Sequence, residues 1–157
     1  LQAFDFLYHP LLPSPLSLKE LVRNKKIKCD ILIFEGSVTP SLQRAGTAVD
    51  KLLARFDGRA KTIIAAGTCA SFGGIFSQND NRASGILYRH ERALEKPLVS
   101  KSLVINLPGC PIHPQNLATV LLHLSKNNPL PLDTMNRPKE IYARTVHQGC
   151  SRNEYFE

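Results

Sequence analysis

Two cysteines in this chain sit just past the ends of apolar runs, each inside a glycine-rich turn. Cys69 stands in Gly67-Thr68-Cys69-Ala70-Ser71-Phe72-Gly73-Gly74, and Cys110 in Leu107-Pro108-Gly109-Cys110-Pro111. Thiolates are the usual ligands of iron–sulfur clusters, commonly four to a cluster. Glycines beside them let backbone N–H groups approach the cluster sulfurs, and such bonds help set the reduction potential. Pro108 and Pro111 stiffen the second turn and remove competing donors. A lone cysteine is more often a small buried residue than a ligand. Two at equivalent strand ends, in turns of little side-chain bulk, point instead to an inorganic cofactor held by sulfur. Two thiols are too few for a cluster, so the other ligands are expected from outside the segment, most simply upstream of Leu1.

A second pair is His147-Gln148-Gly149-Cys150. An imidazole nitrogen and a thiolate three residues apart can reach one metal centre from a single turn. Arg144 and Arg152 flank the pair and would balance a negatively charged cluster. By itself H-x-x-C is a weak signal, because a turn can hold an incidental histidine and cysteine. Further ligands are again expected outside, beyond Glu157. His9, His90, His113 and His123 show no mutual pattern, and His123 falls on a helix surface. Glu35, at a strand end, could carry protons, but capping the next helix is the commoner role for such a residue. The chain has no G-x-G-x-x-G fingerprint, no phosphate loop with lysine and no legible Ser/His/Asp set.

The runs before the two cysteines, Thr62–Ala66 and Leu103–Leu107, read as buried strands of a parallel sheet. Cys29–Phe34 reads as a third, ending at Glu35-Gly36-Ser37. Helical spacing of Leu42, Ala45, Val49, Leu52, Leu53 and Phe56 predicts a helix over 41–56, ended by Asp57-Gly58. A second long helix is predicted from Pro114 to Lys126, with Leu117, Val120, Leu121 and Leu124 as its buried stripe. Ser17 and Glu20 form a capping box for a short helix, Leu18–Asn24. Phe4–His9 alternates like a strand, and Ile141–Val146 reads as a last short one. Residues 75–100 lack a period, and 127–139 form a proline-containing connection. The resulting order predicts an α/β fold, a parallel sheet flanked by helices with right-handed crossovers. Three strand ends then share the edge where open α/β sheets bind ligands.

A length of 157 residues suits one α/β domain, and 43% hydrophobic with 21% charged residues fits a soluble globular protein. No run of about 18 apolar residues occurs, which excludes a transmembrane helix. The net charge is +7, with a cluster at Arg23-Asn24-Lys25-Lys26-Ile27-Lys28. It suits a solvated face or an interface with an acidic subunit. Nucleic acid would want a basic stripe with aromatic or groove-reading elements, and neither is present. Cys29, Cys69, Cys110 and Cys150 are spaced almost evenly, but their flanks do not match, so the spacing is no repeat. Nothing else suggests a disulfide scaffold, and metal-ligating thiols in a reducing setting are the better reading. The chain opens at Leu1 in strand-like sequence and closes at Tyr155-Phe156-Glu157 without a cap. We therefore expect a single domain over 1–157, truncated at both ends, with 140–157 leading into a further region.

Taken in order, Glu35-Gly36-Ser37, Gly67–Ile75 around Cys69, Asn106–Pro111 around Cys110, and His147-Gln148-Gly149-Cys150 resemble the small, electron-transfer subunit of nickel–iron hydrogenases. The resemblance runs from Tyr8-His9 to Glu157. It implies a flavodoxin-like domain in which Cys69 and Cys110 are two of four ligands of a proximal 4Fe–4S cluster. The other two belong to a C-x-x-C motif near the family's N-terminus, which this chain lacks. His147 and Cys150 match the first two ligands of a distal 4Fe–4S cluster. The remaining distal ligands and those of the medial cluster belong to a C-terminal region also lacking here. The implied role is an oxidoreductase subunit that relays electrons from a partner, the hydrogenase large subunit carrying the nickel–iron centre, to an acceptor. Hydrogen activation itself would take place on the partner, and the segment alone would be inactive.

The wording Pro111-Ile112-His113-Pro114 and Cys150–Tyr155 looks like the cytoplasmic uptake or hydrogen-sensing branch. This implies a location in the cytoplasm or peripheral on the inner membrane face, with any membrane association indirect. A rival is the iron–sulfur subunit of a respiratory quinone reductase, which shares the fold and a Pro-Gly-Cys-Pro loop. That relative typically has adjacent cysteines near its first strand end and lacks the H-x-x-C continuation, so His147 and Cys150 favour the hydrogenase. A third reading is a metal-free flavodoxin-like module that binds a flavin phosphate at the same edge. It would want a Ser/Thr-rich phosphate loop after the first strand.

Overall fold

The computed structural model describes residues 4–79, 82–148 and 150. Three apolar runs pair as a parallel sheet in the order β1 (Cys29–Glu35), β4 (Ala60–Ala66), β7 (Leu103–Leu107). Between them lie β2 (Gln43–Arg44), β3 (Thr47–Ala48), α2 (Val49–Phe56), α3 (Thr68–Phe72), α4 (Phe76–Asn79), β5 (Tyr88–Arg89) and β6 (Arg92–Ala93). Helix α1 (Leu18–Arg23) precedes the sheet, and α5 (Pro114–Ser125) and α6 (Lys139–Tyr142) follow it. The register aligns Glu35 with Ala66 and Ala66 with Leu107, so the three strands end level with one another.

Strand β4 is central and covered on both faces, which is why Ile63, Ile64 and Ala65 are all fully buried. Its alternate side chains point to opposite sides. Ile63 and Ala65 pack with Val49 and Leu53 of α2, with Ala70, and with Ile86 and Val99. Ile64, on the other side, packs with Ile105, Leu107 and Val120, and Leu117, Leu121 and Leu124 of α5 close over them. Helices on both faces of a parallel sheet make the α/β architecture predicted from the element order.

Helix α1 carries the expected capping box, with reciprocal bonds between Ser17 and Glu20. Pro114 starts α5, and the His113 ring, at the N-cap, accepts from the Gln115 N–H at 3.3 Å.

Three expectations are corrected. Residues 4–9 form no strand: the Leu16 N–H donates to the Leu7 carbonyl at 3.2 Å, but no ladder follows, and alternation alone cannot satisfy strand N–H and C=O groups. The helix expected over 41–56 begins only at Val49, because Ala45 and Gly46 both adopt positive φ and turn the chain into the β2–β3 hairpin. The alternating segment 141–146 forms no strand either. Pro138 starts α6, and the N–H groups of Ile141 and Tyr142 donate back to its carbonyl at 3.1 and 3.0 Å. Adjacent Ile141 and Tyr142 then both pack against the α5 side of the core.

Candidate functional site

At the carboxyl edge of the sheet three loops meet, and hydrogen bonds join them. The Thr68 N–H donates to the Gly109 carbonyl at 2.9 Å, and the Gly109 N–H donates back to the Thr68 hydroxyl at 3.0 Å. The Gly67 N–H donates to the Leu107 carbonyl at 2.9 Å. The turns bearing Cys69 and Cys110 are thus laced together through backbone. The buried Ser37 hydroxyl donates to the Gly73 carbonyl at 2.7 Å, which brings the Glu35-Gly36-Ser37 loop to the same edge.

Cys69 lies in the first turn of α3 rather than in an irregular turn, and it is half-buried, whereas Cys110 is exposed. Gly73 closes α3 in the left-handed region at φ +91°, and its N–H donates to the Cys69 carbonyl at 2.9 Å. Gly74, at φ +56°, lies so close that a Cβ there would sit 2.5 Å from Cys69 Sγ. The Cys69 sulfur is therefore set against bare backbone, which is the surround a sulfur-held cofactor needs. Side chains farther out add to this: Ile75 and Phe76 are 70% and 59% exposed, an apolar pair next to the Cys69 turn.

The other expected site residues fall elsewhere. His147 and Cys150 are exposed and share a turn, with the Cys150 N–H donating to the His147 carbonyl at 3.1 Å. Arg152 lies outside the described residues. Cys29 opens β1 at the opposite end of the sheet, and burial pushes its thiol pKa up. Glu35 is exposed and caps no helix, since the next helix starts at Val49. His123 is not a free surface residue: it lies 3.4 Å from Glu140 across the α5–α6 contact. Sequence reading quoted Ser37 and Thr68 within its motifs but gave them no role, and it missed Tyr142; the hydroxyls of all three bond to the site loops. Nothing in the composition flags a hydroxyl whose partner is more than 30 residues away.

Among the described residues no three His, Cys, Asp or Glu side chains gather as a metal centre would need. The donor set at the edge is two thiols in glycine-lined backbone. Its chemistry fits one side of an iron–sulfur site, with further ligands required. No described helix is long and apolar enough to cross a membrane.

The fold is a parallel α/β sheet with the turns of two cysteines at the edge where such sheets bind ligands. The family described as NADH ubiquinone oxidoreductase, 20 Kd subunit, matches residues 1–124, and this chain belongs to it. Its curated relatives include small subunits of nickel–iron hydrogenases. It is 37% identical over 101 residues to periplasmic [NiFe] hydrogenase small subunit 1 of Nitratidesulfovibrio vulgaris, covering 63% of this chain and 30% of that protein. It is 36% identical over 110 residues to the hydrogenase-2 small chain of Escherichia coli, covering 69% and 27%. It is 30% identical over 151 residues to the F420 non-reducing hydrogenase I small subunit of Methanosarcina mazei, covering 81% and 39%. The fold matches a chain of the actinobacterial-type NiFe-hydrogenase from Ralstonia eutropha H16 with a TM-score of 0.67 at 26% identity, over 93% of this chain and half of that one. The chain spans less than two fifths of the length of these curated relatives.

Proposed function

We propose that this chain is the electron-transfer part of a nickel–iron hydrogenase small subunit, an oxidoreductase subunit that hands electrons from a partner's active site to an acceptor. Cys69 and Cys110 hold one side of a 4Fe–4S cluster, and His147 and Cys150 contribute to a second. The observation that carries this is the double hydrogen bond between Thr68 and Gly109, which ties two thiol-bearing turns together at one sheet edge. A 4Fe–4S cluster bound there supplies one-electron redox chemistry. The chain's own residues orient the thiols and keep bulk away from them, through Gly67, Gly74 and Gly109. Ile75 and Phe76 offer apolar area for a partner, the hydrogenase large subunit carrying the nickel–iron centre. The wording Pro111-Ile112-His113-Pro114 supports a site of action in the cytoplasm or at the inner membrane face. Cell fractionation with an antibody to the chain tests that location.

The family's description favours a second reading, the iron–sulfur subunit of a quinone reductase. One experiment separates the two. The full-length chain is purified anaerobically with whatever binds it, and hydrogen-dependent dye reduction, iron and sulfide are measured for wild type and Cys69→Ala. Hydrogen activity that requires Cys69 is expected. Bound iron and sulfide without hydrogen activity would favour the quinone reductase. No iron at all would leave only the fold.

A further inference from the structure

The Cys110 turn is gripped from two sides. On one side are the bonds from Gly67 and Thr68. On the other is a strap, residues 129–142, laid along the outer edge of β7. The Asn106 N–H donates to the Asn136 carbonyl at 2.8 Å, the Asn106 amide donates to the Met135 carbonyl at 2.7 Å, and the Asn136 amide donates to the Val104 carbonyl at 3.0 Å. Asp133 stiffens the strap's own bend, accepting from the Met135 and Arg137 N–H groups and from the Arg137 guanidinium. The strap ends in α6, where the half-buried Tyr142 hydroxyl donates to the Pro108 carbonyl at 2.9 Å. Asn116 of α5 hydrogen-bonds the same phenol, and the Arg137 guanidinium stands over its ring at 5.8 Å from the centroid. Burial pushes the phenol's pKa up, so it stays protonated and remains a donor. Leu107, Pro108 and Gly109 therefore each give a carbonyl to a fixed donor, and the donor to Pro108 comes from Tyr142. Five residues beyond Tyr142 comes His147, so this side chain also stands where the strap leads into the His147–Cys150 turn.

We propose that Tyr142 is a positioning residue for the Cys110 thiolate, its hydroxyl on the Pro108 carbonyl holding the cysteine turn in its ligating position. This rests on the reading of Cys110 as a cluster ligand. Tyr88 offers a matched control. Its hydroxyl lies 3.0 Å from the Thr134 carbonyl and 2.9 Å from Asn136 Oδ1, so it fastens the same strap without touching the turn.

The test uses the full-length chain with its partner, purified anaerobically as wild type, Tyr142→Phe, Tyr88→Phe and Cys110→Ser. The readouts are iron and sulfide per chain, the paramagnetic signature that Cys110→Ser abolishes, and the rate of iron release to a chelator. Tyr142→Phe is expected to alter that signature and to release iron roughly fivefold faster, the factor one net hydrogen bond is worth. Tyr88→Phe is expected to match wild type in both, although its thermal midpoint falls. If Tyr142→Phe matches wild type in signature and release while wild type carries iron, the positioning role is overturned and the ligand reading stands. An iron-free wild type overturns both. Should Tyr142→Phe not accumulate, Asn116→Leu removes the bond that aims the phenol. Faster release then supports the role, and wild-type release overturns it.

Discussion

Thr68 and Gly109 hold each other through two hydrogen bonds, one at 2.9 Å between backbones and one at 3.0 Å from the Gly109 N–H to the Thr68 hydroxyl. They are 41 residues apart in sequence, yet each stands immediately before its cysteine. The clamp joins the two turns that carry Cys69 and Cys110.

Replacing Thr68 by Val keeps the shape and removes the acceptor for the Gly109 N–H. An unpaired backbone donor costs about 1–3 kcal/mol. The expected outcome in the full-length chain is a stability loss in that range by urea titration, together with fewer iron atoms per chain. Thr68→Ser keeps the hydroxyl and is expected to restore most of both. Equal iron in Thr68→Val and wild type would show that the clamp does not serve the thiols.

Gly74→Ala places a methyl group 2.5 Å from Cys69 Sγ at a φ of +56°. The left-handed backbone alone costs about 1–2 kcal/mol, and the sulfur must also move. We expect loss of iron and sulfide out of proportion to the drop in thermal midpoint. Gly36→Ala is the comparison, because its Cβ meets nothing within 4 Å. It carries a similar backbone penalty but is expected to keep its iron.

Cys29 separates position from residue type. It lies at the start of β1, with Cys69 and Cys110 beyond the far ends of their strands, and its thiol is held protonated by burial. Cys29→Ser is therefore expected to leave iron content unchanged, whereas Cys69→Ser and Cys110→Ser each lower it. Iron lost equally in all three would sink the sheet-edge assignment.

Besides the exposed capping Glu20, held low by its Ser17 hydrogen bonds, two half-buried carboxylates make stability pH-dependent. At Asp57, burial raises the pKa, but N–H groups of Ser100, Lys101 and Ser102 and the Ser100 hydroxyl outweigh it and hold the carboxyl below its usual range. At Asp133, burial likewise raises it, and bonds from Arg137 and Met135 prevail downward. A depressed carboxyl contributes stability that is complete above its unfolded pKa of about 3.9 and is lost as pH falls through the folded value. The urea midpoint should therefore be flat between about pH 7 and pH 5 and fall below about pH 4. Asp57→Asn together with Asp133→Asn should lower the plateau and flatten the fall. An unchanged acid slope in the double variant would place the acid sensitivity elsewhere.

Where a residue's role follows from local chemistry, sequence alone disclosed it. The apolar runs at 62–66 and 103–107 read as doubly covered strands, because an exposed run of that kind would leave its apolar surface in water. Ser17 with Glu20 and Pro114 marked helix starts because caps act within four residues. The two cysteines were legible as a pair because parallel strands bring equivalent ends to one edge.

Tertiary structure decided what depends on partners far along the chain. Whether 4–9 becomes a strand depends on a neighbour's backbone, which alternation cannot supply. Whether 41–48 continues a helix turned on positive φ at Ala45 and Gly46, against a helical spacing that fitted well. Pro138 and the packing of Ile141 and Tyr142 on α5 put the start of the alternating segment 141–146 into the end of a helix. The hydroxyls that lock the site, Ser37 on Gly73, Thr68 on Gly109 and Tyr142 on Pro108, find partners 34 to 41 residues distant. A hydrogen bond depends on distance and direction between two groups, and sequence carries neither until the chain has folded.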